Sequence, residues 1–309
     1  MVKKILGLYN RFFVIWVILG GVLAFFYPMV FIPLKKYMEL FFGLTMFGIG
    51  AVLHKEDFDN ILKNLWVVLI GVIAQFTIMP FSAFFISKIF KLSKDFTLGL
   101  ILTGSAPGAM ASNVFSYLAG ADVAYSVSLT TVSTLLCPVL TPVLTYFLAR
   151  TIFNIPFWGM FLSVVEIVII PLLIGFFIRD KFSRSMDKVS HFFPAISVTF
   201  IVFICSLVIA LNKKYILHMS LLIFLVVLIL NLSGLSLGYL VGRSFSFDKL
   251  KRRALTIEIG MQNAGLGSVL ALKHFNQRTA IPAVVFVFVC IFTAAILVQL
   301  WAKENRQRN

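Results

Sequence analysis

Acidic side chains are scarce in this chain, 12 Asp and Glu against 27 Lys and Arg in 309 residues, and charged residues of both signs make up only 13%. So few charges exclude a highly charged disordered chain and depart from the balance of a soluble globular domain. Cysteine is limited to Cys137, Cys205 and Cys290, all inside apolar stretches, with no metal-ligand spacing or paired motif; they are read as core residues. The four histidines, His54, His191, His218 and His274, all fall at the ends of apolar stretches or between them. No HExxH pair and no nucleophile–base set offers itself for catalysis. Pro/Ser-rich and charge-dense linkers are missing too, which leaves no room for a separate soluble domain.

What is abundant is apolar surface: 60% hydrophobic residues and a mean hydropathy of +1.00 describe a polytopic membrane protein. Apolar runs recur at about 12–27, 38–53, 63–90, 96–119, 121–149, 156–179, 190–212, 218–243, 253–275 and 279–301. Each approaches the ~20 residues that cross a bilayer, so ten helices are expected. The second run is short unless Lys35 and Lys36 snorkel. Glu56, Asp57 and Asp59 fall in the loop after it and are read as solvated charge.

A net charge of +15 could suggest nucleic acid, but membrane proteins concentrate Lys and Arg on the cytoplasmic side. With ten spans, the two termini and the even-numbered loops carry 17 of the 27 basic residues and the odd-numbered loops 10. Both termini are therefore expected in the cytoplasm, and no nucleic-acid role is needed. The densest run, Lys249, Lys251, Arg252 and Arg253, is read as a topology anchor. The N-terminal lysines and apolar run imitate a signal peptide without a clear small-x-small cleavage site, so the segment is read as a retained first span. Trp16, Trp66 and Trp301 lie near span ends, as interfacial aromatic residues do.

Two spans are interrupted. "GSAPGAMASN", Gly104 to Asn113, places proline, glycine, serine and asparagine in the middle of the fourth run, and "EIGMQNAGLGS", Glu258 to Ser268, does the same in the ninth. Asn113 and Asn263 stand 150 residues apart, at corresponding positions of two five-helix halves, 1–150 and 151–309. An odd number of spans per half makes the second half an inverted repeat of the first. Interrupted segments at matching positions of such halves point to a transporter's midplane site. Pro107 cannot continue a helical hydrogen-bond ladder, and unwound backbone at membrane depth survives only where protein or water satisfies it. A break also exposes carbonyl oxygens that can bind a cation and starts a half-helix whose amides favour an anion. Glu258 costs about 2.5–3.5 kcal/mol at mid-membrane on insertion scales and is read as functional. Gly234, Gly238 and Gly242, by contrast, form a GxxxGxxxG stripe in the eighth span and are read as packing.

Taken together, "GSAPGAMASN", the following "SVSLTTVSTLLCPVLTPVLTYFL" and "EIGMQNAGL" resemble the motifs of the bile acid:sodium symporters in their bacterial ten-helix form, along nearly the whole chain. The resemblance implies an all-α membrane protein, with helices 1, 2, 6 and 7 forming a panel beside a core of helices 3–5 and 8–10. It implies two sodium ions as coupling ions and no organic cofactor. The first sodium would be held by Ser112, Asn113, Ser126, Thr130 and Glu258. The second would use Gln75, Glu258, Gln262 and the backbone carbonyls of Ile259 and Met261. Such ligands suit a hard cation that prefers oxygen. Met110, Asn263 and Thr293 would contact the substrate, and the family pattern is altered there: Met110 replaces a threonine, and Phe292-Thr293 replace His-Asn.

The function this implies is sodium-coupled import of a small or amphipathic organic anion across a bacterial cell membrane, with lipid as the surroundings and no obligate protein partner. A proton-coupled or uncoupled carrier related to the arsenite or auxin exporters is the alternative, although the cysteine that the arsenite carriers use beside the break is absent here. Glu166, in the sixth span, is a second carboxylate with no assigned role, expected at a lipid- or interface-facing position near the span end.

Overall fold

The computed structural model describes residues 12–183, 189–216 and 221–306, with Leu6 and Tyr9. His218 lies outside the described residues. Every regular element among them is helical. Helix α1, Phe13–Phe26, ends at Tyr27, which Pro28 pushes out of helical geometry to φ −119° and ψ 59°. The chain then turns by 106° into a short turn, Pro28–Phe31, a 3-10 stretch, Ile32–Tyr37, and α2, Met38–Gly50.

Helix α3, Lys55–Lys63, replaces the loop expected there. It starts with a capping box in which the His54 amide donates to Asp57 Oδ2 at 2.8 Å. Glu56, Asp57 and Asp59 are thus on a helix, and Lys55 pairs with Asp180 at 2.7 Å. A search for apolar runs overlooks this helix because its polar and apolar residues are mixed along the chain and separate only around the helix axis.

Then come α4, Leu65–Ile89; α5, Lys94–Gly104; α6, Ala111–Leu118; and α7, Val123–Ala149. They are followed by α8, Phe157–Lys181; α9, Phe193–Leu211; α10, Leu221–Ser244; α11, Lys249–Gly260; α12, Ala264–His274; and α13, Ile281–Arg306. Six of the described helices are long and apolar enough to cross a membrane, seven if the bent pair of residues 15–50 counts as one span. The stretches read as fourth and ninth spans do not qualify singly, because each is divided into pieces of 11 and 8 or 12 and 11 residues.

Two sets of helices pack within themselves. Helix α1 lies on α9, and α2 on α8 and α9; the other set joins α4–α7 with α10–α13. Helix α10 lies along α11 through the glycine stripe: a Cβ on Gly234 would stand 2.9 Å from the Ile259 carbonyl, and one on Gly238 would stand 3.2 Å from Ile259 Cβ. The packing role expected of this stripe is observed. All three cysteines are buried and free.

Glu166 was expected near a span end, but it sits near the middle of the 25-residue α8, within a π-turn, Val165–Ile169, and is exposed. The apolar run extends well to both sides of it, which the sequence window around "SVVEIVIIP" already allowed. The π-turn is what the sequence conceals.

Candidate ion-binding site at two facing helix breaks

The two interruptions are real breaks, and they lie against each other. Between α5 and α6 the chain is unwound around Pro107, and between α11 and α12 it is unwound from Met261 to Asn263. The Ala109 amide donates to the Met261 carbonyl, and the Asn263 amide donates to the Pro107 carbonyl, both at 2.8 Å. Gly108 and Gln262 thereby form a single antiparallel bridge. Each break supplies partners for backbone groups freed in the other, as water-poor surroundings require.

Side chains satisfy the rest. Thr141 donates to the Ser105 carbonyl at 2.7 Å, and the Asn231 amide donates to the Gly260 carbonyl at 2.8 Å. Asn263 Oδ1 accepts from the Leu266 amide at 3.1 Å, capping α12.

Glu258 occupies the last turn of α11 and is 1% exposed. Its Oε2 accepts from Ser112 and, at 3.5 Å, from Ser126; its Oε1 accepts from Thr130 at 2.8 Å. Asn113 Oδ1 is 2.8 Å from the Ser126 hydroxyl and 3.2 Å from that of Thr130. Thr130 is also 2.9 Å from the Ser126 carbonyl. The cluster comes from three elements: the break places the first turn of α6 beside the end of α11, and α7 presents Ser126 and Thr130 one turn apart.

Protons are fewer than lone pairs in this cluster. Three hydroxyls, those of Ser112, Ser126 and Thr130, bring one proton each to a carboxylate, an amide oxygen and a backbone carbonyl. Each of the Ser126 and Thr130 protons faces more acceptors than it can serve. A buried surplus of oxygen lone pairs around one negative charge suits a hard monovalent cation. Ser116, which sequence reading passed over, adds a hydroxyl that donates to Ser126 Oγ at 3.1 Å. Its i+4 spacing from Ser112 was the available signal.

On the other side of the break, Gln75 Nε2 donates to Gln262 Oε1 at 2.7 Å, and Gln262 Nε2 donates to the Ile259 carbonyl at 2.9 Å. Gln75 Oε1 is buried with no hydrogen-bond partner among the described residues. An orphan buried amide oxygen has lone pairs that a cation would satisfy.

The structure thus brings Ser112, Asn113, Ser126, Thr130 and Glu258 into one cluster, and Gln75, Gln262 and Ile259 into another on the same break. Met261 lends its carbonyl to Ala109. Met110 precedes the first residue of α6, with its sulfur 3.9 Å from the Asn113 amide nitrogen; like Asn263 it is half-buried. Thr293 is engaged elsewhere: its hydroxyl donates to Asn231 Oδ1 at 2.7 Å. Gly108 and Asn231 were not singled out beforehand. A Cβ on Gly108 would overlap Glu258 Oε1, so only glycine leaves room for the carboxylate.

The sequence profile of the Sodium Bile acid symporter family matches residues 39–219, more than half of the chain. The chain belongs to that family. An uncharacterized sodium-dependent transporter of Bacillus subtilis (strain 168) is 37% identical over all of this chain and 96% of its own length. The "Probable sodium/metabolite cotransporter BASS1, chloroplastic" of Arabidopsis thaliana is 34% identical over 94% of this chain and 73% of its own. The corresponding BASS2 protein of Oryza sativa subsp. japonica is 32% identical over 99% and 74%. As a member of the Sodium Bile acid symporter family, the chain is an integral membrane protein of a sodium-dependent transporter class and not an enzyme.

Proposed function

We propose that the chain is a sodium-coupled symporter that imports an organic anion by alternating access, using two sodium ions. The observation that carries this reading is the proton-poor cluster around Glu258. In it the first sodium takes Ser112, Asn113, Ser126, Thr130 and Glu258, and the second takes Gln75, Glu258, Gln262 and the carbonyls of Ile259 and Met261. The substrate's negative end meets the half-helix starts at Met110 and Asn263, where the helix dipole favours an anion. Bile acids, keto acids and sulfated steroids all present such an end.

Ten spans in two inverted halves, 1–150 and 151–309, put both termini in the cytoplasm. In a functional cysteine-free background, Lys214→Cys is expected to react with an impermeant maleimide only from outside, and Leu250→Cys only from the cytoplasm. Labelling of both from one side sinks the inverted-repeat topology.

Alternating access is supported by how the two helix sets meet. At the far end of α12, Lys273 pairs with Glu39 at 2.7 Å, and His274 Nε2 lies 2.9 Å from Ser163 Oγ. At its near end, Phe42 and Phe200 stand over Gly265, whereas Val114, Tyr117 and Leu118 of α6 are exposed. In the proposed topology this is a state shut toward the outside. The Lys273–Glu39 pair is 26% and 41% exposed, so its share is small, about 0–1 kcal/mol. Accordingly, Glu39→Gln should raise outside labelling of a cysteine at Phe200 by only a few-fold. No change in labelling would mean that the pair is not a latch.

The deciding test is thermal stability against a panel of organic anions in sodium and in potassium buffer. A substrate stabilises the protein more in sodium through linkage. Equal shifts in both salts would refute coupling.

A further inference from the structure

We infer that Asn231, anchored by Thr293, is a positioning residue that holds the α11 break in the shape the second sodium site needs. The inference rests on the sodium reading above and adds to it a part of the site that touches no ion.

Where α11 stops, its last carbonyls lose their helical partners. Three of them find replacements from three directions: Glu258 O accepts from the Met261 amide at 3.2 Å, Ile259 O from Gln262 Nε2, and Gly260 O from Asn231 Nδ2. The Gly260 carbonyl belongs to the peptide plane between the two proposed ligand carbonyls, those of Ile259 and Met261. Gly260 has no side chain to restrain it, and a Cβ there would press on the Leu235 side chain. A glycine at the end of a helix can rotate its peptide plane at low cost. The hydrogen bond from Asn231 holds the oxygen edge of that plane, while the Met261 amide's bond to the Glu258 carbonyl holds the other.

Asn231 is 0% exposed, and its amide works only one way round. Turned over, Oδ1 would face the Gly260 carbonyl, oxygen against oxygen. The Gly260 carbonyl, which can only accept, sets the direction, and the Thr293 hydroxyl anchors the other end by donating to Oδ1 at 2.7 Å, with the Val289 and Cys290 carbonyls also within reach at 3.0 and 3.1 Å. Thr293 is itself 8% exposed. The chain of bonds thus runs from α13 through α10 to the break in α11. Gly234, on the same face of α10 one turn along, lets that helix approach the Ile259 carbonyl closely. Thr293 acts on sodium through Asn231, which sets its role apart from the substrate contact that family resemblance implies.

The test is the sodium concentration giving half-maximal thermal stabilisation, measured for the wild type, Asn231→Leu, Thr293→Val, Thr293→Ser and Glu258→Gln, with melting in potassium as the reference for fold stability. Loss of one buried hydrogen bond should raise the half-maximal concentration about five- to tenfold in Asn231→Leu and Thr293→Val. Thr293→Ser, which keeps the hydroxyl, should behave as wild type, and the order of anion preference should hold in all three. Thr293→Val is nearly isosteric, so it keeps the question answerable if Asn231→Leu fails to fold. An unchanged sodium requirement in Thr293→Val, whether with lower stability in potassium or with a reordered anion preference, overturns the inference. If Glu258→Gln also leaves the sodium requirement unchanged, the sodium reading itself has failed, and the positioning role fails with it.

Discussion

Glu258→Gln is expected to abolish sodium-driven uptake, whereas Ser126→Ala and Gln262→Ala should lower sodium affinity and leave some transport. Glu258 is the sole anionic side chain among the residues assigned to either sodium, and it is 1% exposed. Neutralising it leaves two cations against neutral oxygens where water cannot compensate. Removing one partner of a buried charge pair costs about 3–5 kcal/mol, roughly two to three and a half orders of magnitude in affinity. Losing a single hydroxyl or amide costs about 0.5–1.5 kcal/mol, because neighbouring oxygens take over part of the work. Two sodium ions with one monovalent anion carry one net positive charge inward, about 2.3 kcal/mol of driving force per 100 mV. Wild-type uptake in proteoliposomes should therefore rise with an inside-negative potential and show a sodium Hill coefficient above one. Accumulation by Glu258→Gln on a sodium gradient would end the shared-carboxylate mechanism.

Gly108→Ala, the smallest possible change, is expected to remove most sodium-dependent uptake as well. The added methyl would overlap Glu258 Oε1 and stand 2.8 Å from its carboxyl carbon. Neither side can yield freely: the neighbouring backbone is tied by the Ala109–Met261 and Asn263–Pro107 bonds, and the carboxylate by Ser112, Ser126 and Thr130. Overpacking of this kind costs about 1–3 kcal/mol, and here it falls on the cation ligand. Shortening the acid should make room, so Gly108→Ala combined with Glu258→Asp should bind sodium better than Gly108→Ala alone. Additive losses in that double-mutant cycle would show that the methyl and the carboxylate do not meet.

Much of this molecule was readable from residue order. Apolar runs located the long helices to within a few residues, because burial in lipid demands about twenty apolar residues and a regular backbone whatever the neighbours are. The breaks were legible for the same reason in reverse: Pro107, and the cluster of glycine and amide residues after Glu258, cannot belong to a plain spanning helix. Helix α3 was missed because its amphipathic pattern is short and its apolar residues are few. The π-turn at Glu166 was missed because a one-residue widening of a helix leaves no mark on hydropathy.

The amino-acid order alone established an all-helical membrane chain, its family, and the oxygen-bearing side chains that any cation site must draw on, since those follow from composition, local pattern and resemblance. Which oxygens share one proton-poor cluster was settled by packing, through contacts between residues more than a hundred positions apart. Ser112 meets Glu258 because the two breaks exchange backbone hydrogen bonds, and Gly108 has no room for a side chain because the Glu258 carboxylate fills that space. Asn231 stands inside an ordinary apolar helix, and its meaning depends on the Gly260 carbonyl and the Thr293 hydroxyl that folding brings to its two ends. Hydrogen-bond partners of that kind are chosen by distance in space, which local sequence pattern does not encode.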